Sequence, residues 1–348
     1  MTQKTINNLT IPMTQVEKTS IHNWVLDLKQ VITNPYDLLK RLEIPLSEKL
    51  EADIQARKQF ALRVPIAYLS RIEKNNLNDP LFLQVWTDAK ELIDVPGFTL
   101  DPLEEQDSVA PGLLHKYPSR VLMILKGSCA INCRYCFRRH FPYDANPGNK
   151  KTWQLAIDYI KNTPKIDEVI LSGGDPLMAK DSELAWLFEK INQIPHVRTI
   201  RLHSRLAVVI PSRITDTLLD IFRDSNKKIV LVTHINHSNE IDEIVMDKMY
   251  RLKQVNVLLL NQSVLLKDVN NSSSAIIQLS HKLFEAGILP YYLHLLDKVQ
   301  GAAHFYVSDD SAKLIMKEVI SELSGYLVPK LTREIAGQKS KTPIHYYD

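Results

Sequence analysis

The pattern of apolar and polar residues changes about one third of the way along the chain. Up to residue 100, apolar residues recur at three- and four-residue spacing, which predicts amphipathic helices at 21–32, 35–42 and 50–72. Pro35 suits the first turn of the second helix. The polar stretch 101–108 and the Pro111-Gly112 pair then indicate a boundary loop.

After residue 117, short β-branched runs alternate with amphipathic segments. Strands are predicted at 121–125, 168–171, 199–203, 229–233, 256–260 and 290–295. Helices between them are predicted at 153–162, 182–193, 214–223, 241–252 and 275–286. Strand starts about thirty residues apart are typical of βα units. With no antiparallel hairpin signal, we predict an α/β fold with a partial (βα)6 parallel barrel; a doubly wound sheet is the alternative.

These changes of pattern divide the chain into three parts. We expect a helical N-terminal region at 1–115, a barrel core at 116–308, and a C-terminal helix and segment at 309–348. The N-terminal region could cap the barrel or contact a partner, and the pattern does not decide between these roles.

Composition narrows the class of protein. The 348 residues carry a formal net charge of +3, so no strong electrostatic footprint for nucleic acid is present. No apolar run approaches the ~20 residues of a membrane helix, and no signal or transit segment is apparent in the first 18 residues. We therefore expect a cytoplasmic protein that binds neither nucleic acid nor membrane.

Polar residues and glycines gather where the predicted strands end. The second strand is followed by 172–176, the third ends in 203–205, and the fifth is followed by 261–263. His234 follows the fourth strand and Asp297 the sixth. Each could be an ordinary turn residue. Their coincidence favours a site at the carboxyl ends of parallel strands.

The three cysteines of the chain, Cys129, Cys133 and Cys136, lie within eight residues. Three thiolates on one loop can hold three corners of a 4Fe–4S cluster and leave the fourth iron open to a small molecule. The alternatives are a zinc site completed by His140 and three unrelated buried thiols. A disulfide is disfavoured because the number of cysteines is odd.

The spacing Cys-x₃-Cys-x₂-Cys, with Tyr135 before the last cysteine, resembles the radical S-adenosylmethionine superfamily. Further blocks, which span about 63–343, resemble the lysine 2,3-aminomutase family within it. These blocks are 115–120, 136–141, 233–237, 261–266, Asp297 with 301–305, and 341–343.

The resemblance implies a binding site for S-adenosylmethionine at the open iron. Gly173, Gly174 and Asp175 match the stretch that contacts the methionine amino group, where only glycine lets backbone approach so closely. Tyr135 is expected near the adenine. Two further strand-end residues are assigned to cofactor binding: Ser204 and His234.

The resemblance also implies pyridoxal 5′-phosphate, whose aldehyde needs a lysine for its Schiff base. Lys341 matches the position of that lysine, and Lys339, two residues away, is the alternative. Arg120 matches an arginine that holds the cofactor phosphate, a suitable task for a guanidinium. Gln262 is expected in the same neighbourhood.

Three further residues are expected to bind the substrate. Arg138 matches the arginine that holds the substrate α-carboxylate. Asp297 matches one of two carboxylates that receive a lysine side-chain ammonium. The second falls on Glu334, where the catabolic lysine enzymes carry aspartate, so the side chain here is one methylene longer.

The implied reaction converts L-lysine to (R)-β-lysine by a 1,2-amino shift, with electrons from an external donor. The zinc-binding C-terminal extension of the catabolic enzymes is not matched, and Ser272 falls where they place a zinc-binding cysteine. The shorter form resembles the branch that supplies (R)-β-lysine to a ligase for attachment to elongation factor P. Catabolic or biosynthetic lysine 2,3-aminomutase activity and a non-catalytic cluster- or metal-binding module are the alternatives.

Overall fold

The computed structural model describes residues 24–105, 109–146, 148–338 and 340–346. Within these ranges, one nine-stranded sheet has its strands side by side in the order of the chain. The strands are β1 Leu113–Tyr117, β2 Arg120–Lys126, β3 Glu168–Gly173, β4 Thr199–Ser204, β5 Lys228–Thr233, β6 Leu258–Leu265, β7 Leu289–Leu295, β8 Lys330–Arg333 and β9 Thr342–Pro343.

The strand order distinguishes the two predicted architectures. Each pair of adjacent strands from β2 to β8 is parallel. A doubly wound sheet would reverse its order at a switch point, and this sheet does not. Because right-handed crossovers that always advance in one direction place the helices on one face, the fold is the expected α/β partial parallel barrel.

Both edges of the sheet add antiparallel strands. Strand β1 pairs with β2 through the turn at Pro118-Ser119, and β9 pairs with β8. The expectation that antiparallel hairpins are absent is therefore wrong. The turn lacks the Asn-Gly or Asp-Gly pair that marks most tight hairpins, so no local signal predicted this hairpin.

Helices of the expected kind connect the parallel strands. The predicted barrel helices are confirmed with small shifts at their ends, and each buries an apolar face, such as Leu184, Leu187 and Ile191. The helices are α1 Trp24–Lys29, α2 Pro35–Arg41, α3 Glu48–Ile54, α4 Ile66–Leu69, α5 Pro80–Leu83, α6 Lys150–Lys161, α7 Asp181–Asn192, α8 Leu206–Val209, α9 Asp216–Arg223, α10 Glu243–Gln254, α11 Ser273–Glu285 and α12 Asp309–Glu322.

Three predicted elements have different bounds in the structure. The helix predicted at 21–32 ends at Lys29 in α1, and its first three residues lie outside the described residues. The single helix at 50–72 is wrong, because α3 ends at Ile54 and Pro65, which disfavours helix for the preceding residue, comes just before the short α4. Strand β6 continues to Leu265, so 261–263 lie inside it rather than after it. Asn261 and Ser263 are tolerated there because both bond to backbone of Ile235.

The N-terminal helices share the main apolar core with the barrel. Leu38 and Ile54 are buried in the same cluster as Leu171, Leu202 and Leu231 of the sheet. These helices therefore form a fixed wall beside the strands. No helix in the described ranges is both long and apolar enough to cross a membrane.

Candidate active site

One cavity of about 530 Å³ runs from the carboxyl ends of the parallel strands to the first residues of β2 and β3, and it brings the predicted site residues together. Of the residues predicted from the sequence, Ser204 is fully buried and does not line the cavity. Lys339 lies outside the described residues. The others line it: Arg120, Cys129, Cys133, Tyr135, Cys136, Arg138, Gly173, Gly174, Asp175, His234, Gln262, Asp297, Glu334 and Lys341.

The loop that carries the cysteines is anchored by the N-terminal region. Arg63 Nε donates a hydrogen bond to the carbonyl of Cys129 at 3.1 Å. Arg134 and Arg139, both on the loop, share the buried carboxylate of Glu91. Paired and hydrogen-bonded charges are tolerated in the interior. The N-terminal wall thus fixes the backbone of the cysteine loop.

The zinc alternative requires His140 to lie with the three cysteines around one metal ion. Among the described residues, no three His, Cys, Asp or Glu side chains are grouped to hold a single metal ion. His140, the fourth ligand of the zinc alternative, instead contacts the carbonyl of Gln300 at 3.3 Å. A zinc ion needs its ligands around one point, whereas each cysteine of a 4Fe–4S cluster binds a different iron. The contact of His140 with Gln300 therefore disfavours His140 as a fourth zinc ligand.

The surroundings of the thiols also suit an anionic cluster. Burial raises the pKa of Cys129 well above its ordinary value and that of Cys136 to about 11, so both are protonated in the free protein. Metal binding takes the thiolate and releases these protons. The guanidinium of Arg205 lies in contact with the Cys133 sulfur and supplies positive charge at the loop.

Gly173 and Gly174 are required by close backbone packing at the end of β3. A Cβ on Gly174 would lie 2.5 Å from the carbonyl oxygen of Ser128, which precedes the first cysteine. Gly173 has φ of +120°, and a Cβ there would lie 2.6 Å from the carbonyl oxygen of Lys126. The turn therefore supports the cysteine loop directly, a contact that the sequence did not reveal.

This packing makes a prediction for Gly174→Ala. The methyl group has no room against Ser128 backbone, and forced overpacking costs about 1–3 kcal/mol. We expect a lower melting temperature and reduced iron retention after reconstitution. Gly325→Ala is the matched control, because a Cβ at Gly325 meets nothing within 4 Å. Normal iron content in Gly174→Ala would contradict a supporting role for the turn.

Asp175 and Ser204 form a clip between the ends of β3 and β4. The Asp175 carboxylate accepts hydrogen bonds from the Ser204 hydroxyl and from the backbone N–H groups of Leu177, Arg205 and Leu206, all at 2.8–3.0 Å. Burial raises the pKa of Asp175, although these donors act to lower it. Because these bonds attach Asp175 to the end of β4, they hold the adjacent glycine turn in place.

A second group of residues that line the cavity contains Arg120, Gln262 and His234. The Arg120 guanidinium is 3.9 Å from the centre of the Tyr117 ring, a cation–π contact. The Gln262 amide nitrogen and His234 Nε2 are 2.9 Å apart. Burial lowers the pKa of His234 to about 3, so this imidazole is neutral.

Three cavity residues that the sequence did not assign carry buried nitrogens without a partner among the described residues. They are Arg201 Nε, His203 Nε2 and His294 Nε2. A buried donor left unpaired costs about 1–3 kcal/mol. Such groups commonly mark a position for a polar ligand. The sequence carried one signal for Arg201 and His203, because alternate residues of a strand point to the same face of the sheet. His294 lies near the end of β7.

Lys341 lies in a hydrogen-bonded cluster around Glu334. Its ammonium donates to one carboxylate oxygen at 2.6 Å, while Lys116 and the Tyr117 hydroxyl donate to the other at 3.1 and 3.0 Å. Burial would raise the pKa of Glu334, but the two ammonium groups outweigh it and lower the pKa to about 2. Glu334 is thus fully paired by the chain itself, and Lys116 is a site residue that the sequence did not assign.

Asp297 differs from Glu334 in its partners. Its carboxylate makes no hydrogen bond to the described side chains or backbone, although it lines the cavity. Burial, together with the nearby negative charge of Glu334, raises the pKa of Asp297 to about 7. An unpaired carboxylate in this position is suited to receive a cation.

Arg138 is oriented by two neighbours. Its Nε donates to Glu105 at 2.7 Å and its Nη1 to the Ser172 hydroxyl at 3.2 Å. Burial would lower the pKa of Arg138, but the Glu105 carboxylate outweighs it and the pKa is raised. Glu105 was not predicted, because it lies in the stretch interpreted only as a boundary loop.

Comparisons with known proteins agree with this geometry. Residues 123–259 match the Radical SAM superfamily. L-lysine 2,3-aminomutase of Escherichia coli (strain K12) is 56% identical, over 93% of this chain and 95% of that protein. The enzyme of the same name from Haemophilus influenzae is 57% identical, over 92% and 95%.

A more distant relative is the L-lysine 2,3-aminomutase of Clostridium subterminale. It is 36% identical over 91% of this chain and 77% of that protein. At these identities and coverages, the family is established: the chain belongs to the L-lysine 2,3-aminomutase family of radical S-adenosylmethionine isomerases.

Proposed function

We propose that this protein converts L-lysine to (R)-β-lysine by migration of the α-amino group to the β-carbon. The observation that carries the proposal is the single cavity in which the cysteine loop, Lys341, Arg138 and the unpaired Asp297 meet. The names of the relatives support L-lysine as substrate. An external one-electron donor is required, because the chemistry starts from a reduced cluster.

Cys129, Cys133 and Cys136 would hold the 4Fe–4S cluster that the radical S-adenosylmethionine family implies. When bound, the cluster and S-adenosylmethionine supply the 5′-deoxyadenosyl radical that takes a hydrogen atom from the substrate. Gly173 and Gly174 let the backbone at the end of β3 pack closely against the segment that leads into the cysteine loop. Tyr135, on that loop, lines the cavity.

Pyridoxal 5′-phosphate would be held by a second set of residues that line the cavity. The fit depends on Lys341, the one primary amine that the resemblance assigns, and on cationic or neutral donors for a phosphate: Arg120, Arg201 and Gln262. The unpaired buried nitrogens of Arg201 and His203 support a polar ligand here. When bound, this cofactor carries the amino group while it moves.

The substrate would be held at both ends. Arg138, oriented by Glu105 and Ser172, presents its guanidinium to the α-carboxylate. Asp297 receives the side-chain ammonium, and Glu334 adds negative charge while it orients Lys341. A two-ended clamp fixes which β-hydrogen faces the radical, so positioning contributes more than acid–base chemistry.

The pKa of Asp297 predicts the pH dependence of substrate use. Below about pH 7 the carboxylate becomes neutral and cannot pair with an ammonium, so kcat/KM for lysine should fall about tenfold per pH unit. In Asp297→Asn, kcat/KM should be low at every pH and should not show the acidic limb, that is, the fall below about pH 7. Cleavage of S-adenosylmethionine without lysine is the control. An unchanged acidic limb in Asp297→Asn would contradict the ammonium role.

We also propose that the (R)-β-lysine serves the modification of elongation factor P through a separate lysyl ligase. The support is the resemblance of the motifs to that branch of the family. Deletion of the gene should remove the added residue from elongation factor P, as measured by intact-protein mass, and complementation should restore it. An unchanged mass would favour a role in lysine catabolism or biosynthesis.

A further inference from the structure

The guanidinium of Arg205 is buried in contact with the cysteine loop and is assigned to neither cofactor binding nor substrate binding. Nη1 donates to the Cys133 sulfur at 2.7 Å and to the Tyr135 hydroxyl at 2.6 Å. Nη2 donates to Gln84 at 2.8 Å and to Glu240 at 2.9 Å. The group therefore joins the cysteine loop to two other segments of the chain, those that carry Gln84 and Glu240.

Glu240 holds this guanidinium in a fixed orientation. Its side chain is fully buried, and that of Arg205 is 5% exposed. The second carboxylate oxygen of Glu240 accepts the backbone N–H groups of Asn236 and His237 at 2.9 and 3.2 Å. Because both side chains are held by several hydrogen bonds, the Arg205 guanidinium cannot move away from the sulfur without breaking them.

A purely structural ion pair would not need to contact one sulfur of the three. Hydrogen bonds to the sulfurs, net charge and solvent exposure set the reduction potential of an iron–sulfur cluster. A guanidinium is always charged in proteins. One-electron reduction adds negative charge to the cluster, and a buried cation at the ligating sulfur stabilises that charge because the interior screens it poorly.

We propose that Arg205, oriented by Glu240, is a positioning residue that raises the reduction potential of the cluster through its charge and its hydrogen bond to Cys133. The cluster then comes within reach of a low-potential one-electron donor. The inference rests on the proposed function, in which the three cysteines hold the cluster.

The test is the midpoint potential of the reconstituted full-length protein, measured by electron paramagnetic resonance during a reductive titration. Arg205→Gln should shift the potential negative. Glu240→Gln keeps the guanidinium but removes its counter-charge, so the potential should shift positive. Arg223→Gln is the control, since Arg223 forms an exposed pair with Asp220 on α9 and should leave the potential unchanged.

Opposite shifts in the two variants separate tuning from a loosened fold, which would move both in one direction. Shifts of the same sign, or an unshifted Arg205→Gln protein with full iron and sulfide content, would overturn the proposal. If Arg205→Gln retains no cluster, the sign of the Glu240→Gln shift decides. A wild-type protein without a cluster signal would instead overturn the proposed function itself.

Discussion

Cys133→Ala is expected to abolish iron retention and turnover together. The three cysteines lie on one anchored loop, and the chain has no other cysteine that could replace a lost ligand. With two thiolates, the cluster loses a third of its protein ligands and its contact with Arg205. Iron and sulfide analysis after anaerobic reconstitution, followed by an assay of S-adenosylmethionine cleavage, measures the effect.

Ser128→Ala is a suitable control for that experiment. Ser128 is exposed, directly precedes Cys129, and contributes backbone rather than side chain to the packing of Gly174. The control protein should keep its iron. A Cys133→Ala protein with full iron content and full activity would contradict the cluster assignment.

Lys341→Ala is expected to prevent covalent attachment of pyridoxal 5′-phosphate and to abolish conversion of lysine. Its amine lies in the cavity and is oriented by Glu334, and none of the neighbouring side chains is assigned to replace it. The Schiff-base absorbance of the protein-linked cofactor, which lies near the edge of the visible range, should be absent from the variant. Cluster content should be unchanged, because Lys341 has no contact with the cysteine loop among the described residues.

Lys339→Ala separates the two lysines that the sequence left as alternatives. If Lys341 is the attachment site, Lys339→Ala should keep both the absorbance and the activity. Loss of the absorbance in Lys339→Ala, with retention in Lys341→Ala, would place the attachment two residues earlier.

The sequence predicted the parallel strands and the position of the site because both depend on local patterns. Buried apolar runs marked β3, β4 and β5, and the polar residues after them had to meet at one edge once the strands were parallel. The cysteines, Lys341 and Asp297 were assigned by motif, and all line the same cavity.

What the sequence did not predict depends on long-range contacts. The bond from Arg205 to Gln84 joins residues 121 positions apart, and no local pattern encodes it. Glu105 lies in a loop without periodicity, so its contact with Arg138 required the folded backbone. The close approach of Gly174 to Ser128 likewise follows from how the ends of two strands meet.

Conversion of L-lysine to (R)-β-lysine by this protein can be measured in a single experiment. The most direct test is anaerobic incubation of the reconstituted protein with pyridoxal 5′-phosphate, S-adenosylmethionine, a strong reductant and L-lysine, with chiral chromatography of the products. We predict (R)-β-lysine from the unmodified protein, much less of it from Asp297→Asn, and none from Lys341→Ala at the same enzyme concentration. Cleavage of S-adenosylmethionine by protein of verified iron and sulfide content, with no β-lysine formed, would contradict the claim.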